Sequence, residues 1–246
     1  MENNNQKGRI IVIEGLDGSG KATQSRILMD RLSEKYSVKK LSFPDYDSDG
    51  SAPVRMYLGG EFGKDPSCVN AYAAASFYAV DRVASYLKSW REDYEKGTLF
   101  VLDRYTTSNM VYMTSKLPCD EWRYTTSNMV YMTSKLPRDE WDSFLGWLDE
   151  YEFDRLGLPR PDGVIYLDMP TDVSQRLMSG RYNSDESKKD LHEKNVEFLR
   201  ACRESALYAA QRQGWKVIPC SDGDNPLSID EIAQKVYAAA EEFLCD

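Results

Sequence analysis

Uninterrupted apolar runs recur along the chain at residues 10–13, 99–102 and 164–167. Each is short and continuous, as a strand buried on both faces should be. Residues 38–43 and 215–218 complete a set of five predicted strands, the first of these ending at Pro44, which cannot continue a ladder. Between the strands the apolar period becomes helical. Leu28, Leu32 and Tyr36 follow the first strand at helical spacing, and residues 71–90 carry one continuous helical pattern. Residues 54–58 form a short helical segment closed by Gly59 and Gly60. Phe144, Leu145, Leu148 and Tyr151 mark another helix, and Leu191, Phe198, Leu199, Cys202 and Ala206 a long one. Thr171 is placed to cap a helix running to about Leu177. Ser228 and Glu231 form a capping box for the last helix, through Ile232, Val236 and Phe243. Strands separated by helices predict an α/β fold, a parallel sheet flanked by helices. Ligands of such sheets lie beyond the carboxyl ends of the strands, where Phe43, Asp103 and the turn after the first strand fall.

That turn carries Gly15, Asp17, Gly18, Ser19, Gly20, Lys21, Ala22 and Thr23. A glycine-rich turn from strand to helix aims backbone N–H groups and the positive end of a helix dipole at one spot, which suits phosphate. Lys21 adds a mobile point charge for the terminal phosphates. The context of strand before and helix after is the one a phosphate-binding loop requires. Ala22 stands where Ser or Thr would hold Mg²⁺, so Thr23 is expected to serve instead.

Composition narrows the partners. The 246 residues carry a formal net charge of −9, which argues against a polymeric nucleic acid. A local cluster of Lys and Arg in an acidic chain can still bind a nucleotide. The five cysteines have no CxxC spacing and read as reduced thiols of a cytoplasmic protein. The N-terminal residues are polar, and no window approaches the roughly 20 apolar residues of a membrane span.

One feature is unusual. Residues 104–122 recur as residues 123–141, differing only at Cys119 versus Arg138. Two copies do not make a solenoid. Only the first copy follows Asp103 at a strand end, so it is expected to be the functional one. The second is expected to form an extra helical excursion on the surface.

Further motifs fall in a telling order. They are Phe43 and Pro44 with Tyr46; Leu58, Gly59, Gly60 and Phe62; Tyr78, Asp81 and Arg82; Asp103, Arg104 and Tyr105 leading to Ser108, Asn109 and Tyr112; residues 157–162; and Asp190 with His192 after a basic stretch. With the duplicate set aside, the chain resembles the thymidylate kinase family of P-loop nucleoside monophosphate kinases. The resemblance implies a single P-loop kinase domain over residues 1–246, with a five-stranded parallel sheet, a mobile lid at about 179–190 and the extra duplicated segment. It also implies a homodimer using ATP and Mg²⁺.

By that resemblance Lys21 and the loop amides from Gly15 to Thr23 hold the ATP phosphates. Asp17 lies near the acceptor sugar and the metal. Phe43, Leu58 and Tyr78 wall the pyrimidine, with Tyr46 beside them. Arg82 and Asn109 hydrogen-bond the base edge, with Ser108 adjacent, and Tyr112 packs under the deoxyribose. Arg104 grips the acceptor phosphate, and Asp103 orients Mg²⁺ through water. Gly18 in place of arginine implies that the lid supplies cations, from Arg176, Arg181 or Lys188.

Blander readings stand beside these. Arg82 with Asp81 can also be read as a surface ion pair, Tyr78 as core, and residues 181–189 as a solvated loop, each a weaker reading than the functional one. His192, the only histidine, reads better as a helix-start residue than as a base. No base is needed, because a phosphate monoester with a second pKa of about 6 is already largely dianionic at neutral pH. The expected activity is ATP-dependent phosphorylation of dTMP to dTDP. The alternatives are the same chemistry on dUMP or UMP, and a nucleotide-binding protein with little turnover.

Overall fold

The computed structural model describes residues 7–63, 65, 68–116, 138–181 and 196–245. Five parallel strands form one sheet: β1 (Ile10–Gly15), β2 (Val38–Ser42), β3 (Leu99–Asp103), β4 (Gly163–Asp168) and β5 (Lys216–Pro219). Their order is β2-β3-β1-β4-β5. The three central strands are the apolar runs, and nearly every residue in them is buried. The edge strands β2 and β5 are partly exposed, which is why their sequences are mixed.

The pleat sends alternate residues of β1 to opposite faces. Ile11 and Ile13 join Leu28, Leu32, Ile232 and Val236, from α1 (Lys21–Leu32) and α9 (Ile229–Leu244). Ile10 and Val12 join Trp90, Phe100, Leu102 and Tyr105 on the other side. A third cluster gathers Tyr57, Val111, Phe144, Leu148, Phe198 and Leu199. These come from α2 (Ala52–Leu58), α5 (Thr107–Tyr112), α6 (Arg138–Asp149) and α8 (Val196–Gln213). Each large apolar side chain buried in this way contributes about 1.5–3 kcal/mol.

The predicted strands agree with the observed ones to within a residue or so. The continuous helix expected over residues 71–90 is interrupted: α3 (Ala71–Ser85) passes into a π-helical turn, Tyr86–Trp90, and then α4 (Arg91–Glu95). The wider turn accompanies full burial of the Trp90 ring against Phe100 and Tyr105. Thr171 is the first residue of α7 (Thr171–Arg181), which runs past Leu177. The capping box at Ser228 is present in both directions, with Glu231 N–H donating to Ser228 Oγ and Ser228 N–H to Glu231 Oε2. A small antiparallel pair, β6 (Ser221–Asp222) and β7 (Asn225–Pro226), was not foreseen, because two-residue strands leave no apolar period to read.

The repeat is used from both ends. Arg104 to Lys116 of the first copy continue from β3 into α5, while Trp141, closing the second copy, is buried in α6 against Tyr208 at 5.1 Å. The junction between these parts, and with it the expected surface excursion, lies outside the described residues.

Gly163, at the start of β4, has the ring of Phe243 lying on it. A Cβ there would approach Phe243 Cδ2 to 2.1 Å. Gly163→Ala should therefore destabilise the protein by about 1–3 kcal/mol through overpacking. A thermal melt should show a Tm lower by several degrees; an unchanged Tm would mean that α9 shifts without cost.

Candidate active site

A cavity of about 290 Å³ opens beyond the carboxyl ends of β1, β2 and β3. Because β1 lies in mid-sheet with β3 on one side and β4 on the other, the loops after these strands diverge and leave a crevice. The glycine turn after β1 forms its floor. Gly18 and Gly20 take left-handed φ values of 81° and 90°, and Gly18 lies so close to α7 that a Cβ would meet Ser174 O at 2.8 Å. A side chain is excluded at Gly18 on both counts and disfavoured at Gly20 by its backbone alone, so backbone amides can face the cavity.

Lys21 opens α1 and lies on the cavity wall, its Nζ donating to Leu16 O at 2.8 Å and lying 3.7 Å from Asp17 Oδ1. Burial, and then the neighbouring Arg104 guanidinium, lower its pKa to about 8, against the pull of Asp17, Asp103 and Glu14. Arg104 directly follows β3 with φ 67°, a left-handed conformation costing a non-glycine residue about 1–3 kcal/mol. Its N–H donates to Ile13 O at 3.1 Å, anchoring it to β1. From there the guanidinium forms a close ion pair with Asp17. It also donates to Tyr112 Oη at 3.3 Å, and Tyr112 donates to Asp17 Oδ2 at 3.0 Å. Lys21 and Arg104 thus share one cavity, with the Asp17 carboxylate between them.

Phe43, Tyr46, Leu58 and Tyr78 line the same cavity, from the β2 end, α2 and α3. Phe43 is buried with its ring 5.9 Å from Tyr105, while Tyr46 is half exposed. Ser108 and Tyr112 line the cavity from α5.

Other expected residues fall differently. Ala22 is on the cavity wall, but the Thr23 side chain is not. Gly15 and Ser19 lie beneath the surface of the loop, and the buried Ser19 Oγ has no hydrogen-bond partner among the described residues. Arg176 donates to Asp224 O, tying α7 to the β6–β7 turn. The Arg181 side chain, Lys188 and His192 lie outside the described residues. Arg82 is not a surface partner of Asp81. It is almost fully buried, donating from Nε and Nη2 to Glu152 at 2.8 and 2.7 Å, and it reaches the cavity wall. Asn109, behind that wall, donates to Ala75 O at 3.1 Å and to Glu152 Oε1 at 2.8 Å.

Two buried carboxylates went unrecognised in the sequence. Glu14 accepts from Thr107 Oγ1 and Ser108 Oγ, each at 2.7 Å, and lies 3.8 Å from Arg104 Nη1. It clasps the end of β1 to the start of α5. Glu152 follows α6 in a π-helical turn, Glu150–Arg155. Signals existed for both. Glu14 is a lone carboxylate closing an apolar run, and Glu152 falls four residues after the buried Leu148, on the inward face.

Among the described residues no group of three His, Cys, Asp or Glu side chains is arranged to hold a metal. Mg²⁺ usually binds through one or two carboxylates with substrate phosphates and water. Asp103 lines the cavity and supplies a carboxylate there.

Comparison with known proteins points to one family. The thymidylate kinase family model matches residues 13–128. A thymidylate kinase from Mycobacterium tuberculosis is 30% identical over 216 residues, covering 84% of this chain and 87% of its own. One from Caenorhabditis elegans is 22% identical across 99% of this chain and 94% of its own. The solved structure of a Candida albicans thymidylate kinase superposes with a TM-score of 0.66 at 20% identity, covering 96% of this chain and 92% of that one. The family model spans the part of the chain that lines the cavity, and with 30% identity to a relative over most of both chains, the chain belongs to the thymidylate kinase family.

Proposed function

We propose that the protein transfers the γ-phosphoryl group of ATP to dTMP, giving dTDP and ADP. The observation that carries the reading is the cavity that Lys21 and Arg104 share with the aromatic and aliphatic side chains of Phe43, Leu58 and Tyr78. The chemistry must bring two anions together, so it needs fixed cations rather than a base. Lys21 and the loop amides hold the donor phosphates. Arg104 holds the acceptor phosphate, and its contacts with Asp17 and Tyr112 keep the guanidinium aligned before substrate arrives. Phe43, Leu58 and Tyr78 enclose the base, Arg82 and Ser108 lie at its edge with Asn109 behind them, and Tyr112 packs beneath the sugar. Asp103 and Asp17 are the carboxylates that would hold Mg²⁺, whose charge would draw electron density from the transferring group. A lid over about 179–190, with Arg181 reaching the phosphates, completes the reading. A homodimer in the cytoplasm belongs to it too. The described helices include none long and apolar enough to cross a membrane.

A coupled ADP-release assay over dTMP, dUMP, UMP and dCMP tests the activity. The expected order places dTMP first, and a flat response would remove the pyrimidine pocket. ATP binding without turnover of any monophosphate would favour the low-turnover reading instead.

The repeat gives a paired test. Arg104→Ala should lower kcat/KM by about 10²–10³-fold, the scale of losing one fixed donor to the transition state. Arg123→Ala, at the matching position of the second copy, should leave it unchanged. The reverse result would hand the role to the second copy.

The lowered pKa of Lys21 has a sign that calorimetry can read. Above about pH 8 the free lysine is mostly neutral, and bound phosphate restores its charge. ATP binding at pH 9 should therefore take up about one proton, and binding at pH 6.5 none from this group. Titrations in buffers of different ionisation enthalpy measure the uptake, and Lys21→Met should abolish it.

A further inference from the structure

Asp81 is almost fully buried on α3, but its neighbour Arg82 turns to Glu152 instead. Tyr78, Asp81 and Arg82 share one face of that helix, at spacings of three and four residues. Tyr78 and Arg82 line the cavity, and Asp81 meets the loop that follows β2. Its Oδ2 accepts the N–H of Asp45 at 3.0 Å, and its buried Oδ1 has no hydrogen-bond partner among the described residues. Burial pushes the carboxyl pKa up, and the Asp45 N–H pulls against that rise.

The donor it takes sits at a particular point of the loop. Phe43 N–H donates to Asp103 O at 3.0 Å, extending the β2–β3 ladder by one bond. Pro44 has no N–H, so Asp45 carries the next donor along the chain. Phe43 and Pro44 before it and Tyr46 after it all line the cavity. The outer part of the loop is held separately. Arg55 Nη1, from α2, donates to Tyr46 O at 3.0 Å and to Ser48 O at 2.9 Å. Gly50 packs so closely on α3 that a Cβ there would meet Ala84 Cβ at 2.9 Å. Between the sheet and these outer contacts, Asp81 fixes the backbone of the cavity-lining stretch.

We infer that Asp81 is a positioning residue for the acceptor nucleotide: by holding the Asp45 N–H, it keeps Phe43, Pro44 and Tyr46 set against the cavity. The task needs an acceptor atom, not a charge. Oδ2 accepts the N–H whether or not Oδ1 carries a proton, and an amide oxygen in its place would do the same. Without that acceptor the Asp45 N–H is left unpaired, and the wall must be ordered by the substrate itself, at the expense of affinity. The phosphate loop after β1 is a separate element, so the donor nucleotide should be little affected. The inference rests on the reading that the cavity binds a pyrimidine monophosphate.

The test compares wild type with Asp81→Ala and Asp81→Asn, measuring Kd for dTMP by calorimetry, KM for dTMP and ATP, kcat, and Tm. Asp81→Ala should raise Kd and KM for dTMP by about tenfold, with KM for ATP within about twofold and kcat within about threefold of wild type. Asp81→Asn keeps the acceptor and should recover most of that loss, to within about threefold of wild type. If Asp81→Ala does not fold, Asp81→Ser takes its place, since a hydroxyl on so short a stem fills part of the space without reaching the Asp45 N–H. An unchanged Kd for dTMP in the folded alanine or serine variant overturns the proposal. So does a parallel rise in both KM values with a lower Tm, which marks a purely structural contact. An asparagine variant as impaired as the alanine one overturns it too, because the charge and not the acceptor would then matter. Wild type inactive on every pyrimidine monophosphate would fell the reading of the cavity and this proposal with it. An active wild type with an equally active alanine variant would fell this proposal alone.

Discussion

The site depends on keeping two cations together in a partly buried cleft. Lys21 and Arg104 repel each other, and burial penalises the charge on Lys21, yet both side chains line the same cavity. Asp17 resolves the conflict by sitting between them, joined to Arg104 directly and to Tyr112 through its hydroxyl. Glu14, one strand residue before the loop, adds negative charge beneath Arg104 while fastening β1 to α5. The left-handed backbone at Arg104 belongs to the same solution, since it turns the side chain back over the loop as β3 ends.

A second buried cluster repeats the logic at the other end of the cavity. Arg82 is buried only because Glu152 meets it with two well-formed hydrogen bonds. Removing one partner of such a pair leaves a naked charge and commonly costs about 3–5 kcal/mol, so the two residues stand or fall together. Asn109 joins them, which ties α5 to the turn after α6. The cavity wall at Arg82 is thereby coupled to chain that follows the repeat.

That coupling explains how the fold tolerates a duplication. The head of the first copy is bound into the sheet through Asp103 and Arg104, and the tail of the second is bound into α6 through Trp141. Continuity with β3 selects the first copy for one task, and continuity with residues 142–155 selects the second for the other. The first copy's place after Asp103 is legible in the sequence, whereas the burial of the second copy's Trp141 against Tyr208 is not.

The strands, their parallel order of burial, the phosphate loop and the last helix with its cap were legible directly, because each is written in local spacing. Apolar runs announce β1, β3 and β4, and Gly18, Gly20 and Lys21 announce the loop. The position of Arg104 beyond a strand end could be read the same way. What remained hidden were partnerships between distant residues. Nothing near Arg82 in the chain names Glu152, and nothing near Asp17 names Arg104. A helical period shows which side chains point inward, but not which buried charge another will neutralise. Electrostatic pairing depends on separation in space, over a few ångströms, and the chain reaches that proximity only when the helices have docked on the sheet.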